Sequence, residues 1–315
     1  MANTATGSLG KVAVVGTGAV GGFYGGLLAR SGQEVHFLFR SDYEAALKKG
    51  LKVTLLEEPC DTFKVEPLRA YRDAGEIGPC DWVIVAAKST ANPKLIEVLT
   101  PLLHSQTAFL TLQNGMGNVE WLRSSFGSSR RIVSGLCFTC LNRVAPAEVV
   151  NYFPGYVQFG ELVGTLSEEG QQIMNAFRKS GVSCKAAESL DEALWRKLCW
   201  NVPFNGLTVA AGGITTDLIL ADQELTRRAR SLMEEIQAAA YAHGVEIEDA
   251  FLDQQFELTQ PMGAYKPSSL IDFLGGREVE VEAIWGEPLH RGQAAGVDMP
   301  ELQRLHSELT AIQLE

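Results

Sequence analysis

The sequence predicts an α/β fold in two parts, a doubly wound parallel sheet followed by an all-α domain, and three observations carry that prediction. Short apolar runs alternate with helical patterns through the first half, a GTGAVG segment stands where the first run meets the first helix, and strand signals nearly vanish after about Glu188. Such alternation is the mark of successive β-α-β units, because parallel strands need helical crossovers. At 315 residues the chain also exceeds the size at which one core usually stays single. The composition shift then sets the expected boundary, with residues 1–188 forming the sheet domain and 189–315 the helical one.

The expected strands are KVAVV (11–15), EVHFLF (34–39), DWVIVAA (81–87), TAFLTL (107–112) and RIVSGLCFTC (131–140). Helices are expected from about Ala19 and near 93–100 and 117–126. At 149–161 the pattern changes to VVNY and YVQFGEL around Pro154 and Gly155, which predicts a hairpin turning there and extending the sheet. Helical segments follow at 190–211, 223–243, 247–260, 268–274, 281–295 and 301–313. A cleft between two domains is the default place for chemistry.

Composition narrows the function classes. With 46% hydrophobic and 21% charged residues the chain has material for cores and a wet surface, so disorder is excluded for most of its length. A net charge of -11 repels phosphate backbones and argues against nucleic acid as a partner. The first ten residues, MANTATGSLG, lack a basic and an apolar region, so they read as a short leader and the expected location is cytoplasmic. The uncharged stretch 198–216 contains Asn201, Pro203, Asn205, Gly206, Gly212 and Gly213, which would be costly in lipid, so it reads as a buried helix and a turn, with no membrane partner. Of the six cysteines, Cys137 and Cys140 form a CxxC on an expected strand, where they would face opposite sides. The five histidines are scattered without ligand spacing, so no metal is expected.

The glycine segment carries the first chemical reading. Gly16, Gly18 and Gly21 stand in the order GxGxxG between a strand and a helix, the arrangement of a Rossmann dinucleotide site. Gly16 allows the tight turn, Gly18 lets backbone approach the pyrophosphate, and Gly21 lets helix and strand pack, while Thr17, Ala19 and Val20 supply amides at the helix N-terminus. At the end of the second strand, where an acidic residue would hold the ribose hydroxyls of NADH, stands Arg40. A guanidinium there suits a 2'-phosphate, so NADP(H) is the expected cofactor; the plain alternative is a solvated surface arginine.

Three more segments follow in order: VAAKS with Lys88, LQNGMGN with Asn114, and ALWRKLCWNVPFN with Lys197, Asn201 and Asn205. On a helix the last three share one face within roughly 80 degrees of arc, a polar stripe between Trp195, Leu198 and Trp200 that suggests a cleft wall. Pro203 within that helix should kink it and free a carbonyl. Together with GxGxxG and Arg40, the NGMG turn and the WRK segment with its spaced asparagines resemble the ketopantoate reductase family across nearly the whole chain.

That resemblance implies a C-terminal domain like that of 6-phosphogluconate dehydrogenase, and it implies roles. Lys197 matches the general acid, Asn201 and Asn205 match substrate-binding asparagines, and Asn114 matches the asparagine beside the nicotinamide that orients the substrate. Lys88 matches a cofactor-contacting lysine. KPSSLIDF resembles the family's serine motif, with Ser269 at the substrate carboxylate, and GREVEVEAIWGE its acidic motif, with Glu280 in the cofactor or catalytic position. One residue fewer separates serine from glutamate than the family pattern has, so Ser268 and Glu282 remain alternatives. Where a further asparagine is usual, this chain has Thr215.

The reaction implied is hydride transfer from NADPH to a 2-oxo acid, in the family 2-dehydropantoate, giving (R)-pantoate on the route to pantothenate and coenzyme A. A paralogous reductase of another 2-oxo acid is the alternative enzyme, and a non-catalytic NADP-binding sensor the alternative of another class. The assembly is left open, a homodimer included.

Overall fold

The computed structural model describes residues 8–314, so most of the expected leader lies outside them. The chain divides by contacts into two compact units, residues 1–113 with 118–190, and residues 114–117 with 191–315. The expected division at 188 places the short Asn114–Gly117 segment with the sheet. Its contacts group it with the helices instead.

Among its described residues the first unit contains ten strands: β1 Lys11–Val15, β2 Glu34–Leu38, β3 Lys52–Leu55, β4 Asp61–Lys64, β5 Arg69–Tyr71, β6 Trp82–Val85, β7 Ala108–Thr111, β8 Ile132–Ala145, β9 Glu148–Glu161 and β10 Cys184–Ala186. Its helices are α1 Ala19–Arg30, α2 Tyr43–Lys49, α3 Ala74–Ile77, α4 Asn92–Leu99, α5 Asn118–Phe126 and α6 Glu168–Lys179. They form one sheet in the order β4-β3-β9-β8-β7-β6-β1-β2-β5, with β10 also paired to β9. The segment from β5 to β8 through β1 is parallel, as the alternating pattern predicts, and β8/β9 and β3/β4 are antiparallel. Strands β1, β6 and β7 are covered on both faces and therefore read as unbroken apolar runs. Their side chains, with Phe23, Tyr24 and Leu28 of α1, anchor the core of this unit.

The expected hairpin at Pro154-Gly155 is corrected by the structure. The turn lies between β8 and β9 around Ala147, a non-glycine residue with φ of 59°, and Pro154 and Gly155 lie inside β9. The ladder slips there, between the pairs Phe138–Tyr156 and Cys140–Phe153. Gly155 has φ of 57°, and a Cβ on it would lie 1.6 Å from the Phe138 carbonyl oxygen. The proline-glycine pair thus forms a bulge, the other use of these residue types in a strand.

The second unit is helical: α7 Leu190–Ala210, α8 Thr216–Ala221, α9 Gln223–Ala242, α10 Asp249–Thr259, α11 Ser268–Leu274, a π turn at Glu282–Gly286, α12 Glu287–Ala294 and α13 Pro300–Leu314. Helix α7 stays helical through Pro203, and no helix among the described residues is long and apolar enough to cross a membrane. Leu232, Ile236, Leu302, Leu305 and Trp285 help fill a separate core. Polar ties orient its outer helices. Arg228 on α9 reaches Glu301 and Glu308 on α13, and Glu235 accepts the N–H groups of Glu301 and Leu302 at the start of α13, donors that a helix leaves unmatched.

Candidate active site

The glycine turn joins β1 to α1 through backbone packing that excludes side chains. Gly16 has φ of 95°, and a Cβ there would lie 2.2 Å from the amide nitrogen of Ala87. A Cβ on Gly21 would lie 2.4 Å from the Gly16 carbonyl oxygen and 3.0 Å from Val14 Cγ1, so α1 sits against β1 only because position 21 is bare. Gly18 differs. A Cβ there meets nothing within 4 Å, and α1, whose N-cap it is, receives no side-chain cap. Ala19 and Val20 open α1, so the turn presents first-turn amides without intrahelical acceptors.

Thr17 donates its hydroxyl to the Leu38 carbonyl (2.9 Å), which ties the glycine turn to the end of β2. Two residues farther, Arg40 is exposed and makes no hydrogen bond or ion pair among the described residues. The nearby acidic residue, Asp42, is buried and occupied, accepting from Ser41, Arg143 and the N–H of Ala147. Burial pushes its carboxyl up, and these hydrogen bonds more than reverse that, holding it below the ordinary carboxylate range. Lys88 follows Ala87, the residue against Gly16, and caps the short 3-10 turn Ser89–Ala91. A bare turn and first-turn amides without intrahelical acceptors fit the pyrophosphate of a dinucleotide.

In the helical unit, α7 carries the polar stripe. Half-buried Lys197 donates from Nζ to Asn114 Oδ1 (3.1 Å). Asn201 and Asn205 are buried. Asn205 Oδ1 accepts the Ser269 N–H (3.1 Å) and lies 3.4 Å from the Ser268 hydroxyl, which anchors the start of α11 on the stripe. The two serines differ: Ser269 is 3% exposed, whereas Ser268 is exposed. The two glutamates differ as well. Glu280 is buried, while Glu282 is a surface group paired with His306 (3.0 Å). No hydrogen bond among the described residues ties the Thr215 side chain to the stripe; it caps α8 and gives its hydroxyl to the Asp217 carboxylate.

What positions Asn114 has no signature in the side chains read from the sequence. The π turn at Glu282–Gly286 leaves the Ala283 carbonyl to accept the Met116 N–H (2.8 Å). Gly115, with φ of 81°, lies so close that a Cβ would be 2.1 Å from that same oxygen. Met116 itself is buried in the helical core. From the π turn, Trp285 Nε1 donates to the Val202 carbonyl of α7 (2.9 Å), over Gly206, where a Cβ would lie 2.7 Å from the indole nitrogen. A closed circuit results, from α7 through Trp285, Ala283, Met116 and Asn114 back to Lys197. Departures from regular helical bonding of this kind recur at functional sites.

The family model described as ketopantoate reductase PanE/ApbA matches residues 12–164, and the model of its C-terminal part matches residues 189–313. The chain belongs to the ketopantoate reductase family. Among its relatives, the 2-dehydropantoate 2-reductase of Nostoc sp. is 37% identical, over 95% of this chain and 94% of that protein. The crystal structure of 2-dehydropantoate 2-reductase from Geobacter metallireducens is 40% identical with a TM-score of 0.91, covering 96% of this chain and 99% of the other. A ternary structure of D-mandelate dehydrogenase with NADH and anilino(oxo)acetate shares the fold at 20% identity and a TM-score of 0.87, covering 96% and 98% of the two chains.

Within a ketopantoate reductase scaffold, the Gly115–Ala283 approach is testable against a second glycine. Gly263 also has positive φ, 60°, but a Cβ on it meets nothing within 4 Å. Both Gly115→Ala and Gly263→Ala carry backbone strain of about 1 kcal/mol. Only the first also moves Asn114 relative to Lys197, so Gly115→Ala is expected to lower kcat at least about tenfold and Gly263→Ala to stay within about twofold. Steady-state kinetics of both variants check this, and equal losses would contradict the positioning role.

Proposed function

We propose that this chain is an NADPH-dependent reductase that converts 2-dehydropantoate to (R)-pantoate, on the route to pantothenate and coenzyme A. The observation that carries the reading is the hydrogen bond between Lys197 and Asn114, two polar residues far apart in the chain whose pairing gives a directed ammonium. NADPH held at the glycine turn would supply a hydride for the ketone carbon. As the hydride arrives, negative charge grows on the ketone oxygen, and the Lys197 ammonium stabilises it and gives up a proton to complete the hydroxyl. Asn114 accepts one N–H of the ammonium, which fixes the direction of the others.

Gly16 to Gly21 and Lys88 hold the dinucleotide in this reading, with Arg40 at its 2'-phosphate. Exposure of Arg40 and occupation of Asp42 elsewhere support the phosphate over a ribose diol. Glu280 is favoured over Glu282 for the acidic position because the latter is spent on a surface pair with His306. For the substrate carboxylate, the exposed hydroxyl of Ser268 beside Asn205 is favoured over the buried Ser269, a shift of one residue from the sequence-based expectation. Asn201 and Asn205 complete the substrate set. Thr215 has its hydroxyl committed to Asp217, so the reading rests on the others.

A panel of 2-oxo acids assayed for NADPH oxidation tests the substrate directly. Ketopantoate is expected to give the highest kcat/KM; a bulkier 2-oxo acid ahead of it would favour a paralogous reductase, and no turnover with any of them would favour a sensor. Lys197→Ala is expected to lower kcat at least about a hundredfold with little change in NADPH affinity. Near wild-type turnover would remove Lys197 from the chemistry.

The serine assignment has its own comparison. Ser268→Ala is expected to raise KM for the oxo acid about tenfold or more, through loss of a charge-assisted hydrogen bond, while Ser269→Ala changes it little. The reverse pattern would restore Ser269.

A further inference from the structure

Arg40 and Ser41 form a short basic spur held between two buried neighbours. On one side Phe39 is buried and donates its N–H to the Tyr71 carbonyl (2.9 Å). On the other, the buried Asp42 carboxylate receives the Ser41 hydroxyl (2.8 Å), the Arg143 guanidinium (2.6 Å) and the Ala147 N–H (3.0 Å). The last two donors come from the β8–β9 hairpin, more than a hundred positions later in the chain.

Asp42 is an acidic side chain just past the second strand, the region in which a carboxylate turned toward the ribose selects NADH. Here its oxygens face the hairpin and Arg143 cancels its charge. We infer that Arg143 determines cofactor preference without belonging to the dinucleotide motif: by holding and neutralising Asp42, it keeps that carboxylate from the cofactor and leaves Arg40 and Ser41 to a 2'-phosphate. This rests on the reading of the Gly16–Gly21 turn and Arg40 as the dinucleotide site.

Like charge governs the effect. With Arg143 removed, the Asp42 anion remains one hydrogen bond from Ser41, beside the spur assigned to a phosphate. Repulsion between two anions at such separations, in a partly buried setting, is enough to change a binding constant about tenfold. NADH lacks the phosphate and escapes that penalty, while the Ser41 hydroxyl and the Ala147 N–H still hold the carboxylate in place. A merely structural arginine would behave otherwise, weakening both cofactors together.

Titration of NADPH and NADH by fluorescence into wild type, Arg143→Met, Arg143→Gln, Asp42→Asn and Asp42→Asn/Arg143→Met tests this. Wild type is expected to prefer NADPH. Arg143→Met is expected to raise Kd for NADPH about tenfold while that for NADH stays level or falls, with the NADPH loss shrinking at high salt. Arg143→Gln, which keeps a donor for Asp42, guards against a folding failure of the methionine variant and should show the same loss. In the double variant, where no anion is left, NADPH affinity should recover to within about threefold of wild type. Equal weakening of both cofactors, or no recovery in the double variant, would overturn the inference. A wild type that prefers NADH would overturn the reading beneath it, a result distinct from a wild type that prefers NADPH and ignores the change at Arg143.

Discussion

The hydrogen bond from the Met116 N–H to the Ala283 carbonyl is the constraint on which the candidate site depends. It holds a four-residue segment, Asn114–Gly117, on the helical unit although the chain enters it from β7 and leaves it into α5. Two features make the bond available: a π turn that leaves a carbonyl outward, and a glycine at position 115 that lets backbone meet backbone. A regular α-helix at 282–286 would use that carbonyl within itself. The consequence is that Asn114, a loop residue, is placed with the accuracy of a helix. Lys197 then has a fixed acceptor.

The two units solve different problems with the same economy of side chains. In the sheet unit the glycine turn works by what it lacks, since Gly16 and Gly21 admit neighbouring backbone and Gly18 faces open space. In the helical unit, Gly206 lets the Trp285 indole reach the Val202 carbonyl and so fastens the π turn to α7. Charge is handled in parallel fashion: Asp42 is tied to Arg143 and Ala147, and Glu282 to His306, so each carboxylate has a partner.

Much of this architecture is legible in the sequence because burial leaves periodic traces. Strands covered on both faces, such as β1 and β6, are continuous apolar runs, and the spacing of Lys197, Asn201 and Asn205 reports one helical face directly. Elements with weaker burial escape. Strands β3, β4 and β5 are short and largely half-exposed or exposed, so they lack a pattern, and α8 is only a turn and a half of helix between clearer signals. Helix α6 had a signal that could have found it: Ser167 as N-cap, acidic residues in the first turn, and Ile173, Met174 and Phe177 along one face. Pro154-Gly155 misleads because turn and bulge use the same residues, while the true turn pairs Pro146, a turn-favoured residue that could have marked it, with Ala147, whose positive φ is unusual for alanine. At the site, side-chain identities are readable, but the choice between Ser268 and Ser269 depends on how α11 meets Asn205, and the Ala283 carbonyl has no residue type to announce it.

A crystal structure of the ternary complex with NADP⁺ and pantoate bears most directly on the account. It should place Lys197 Nζ within hydrogen-bond distance of the pantoate 2-hydroxyl oxygen while its bond to Asn114 Oδ1 persists, and the Met116 to Ala283 bond should be intact. A product hydroxyl held by another residue, with Lys197 turned away from it, would contradict the assignment of the proton donor and of the circuit that aims it.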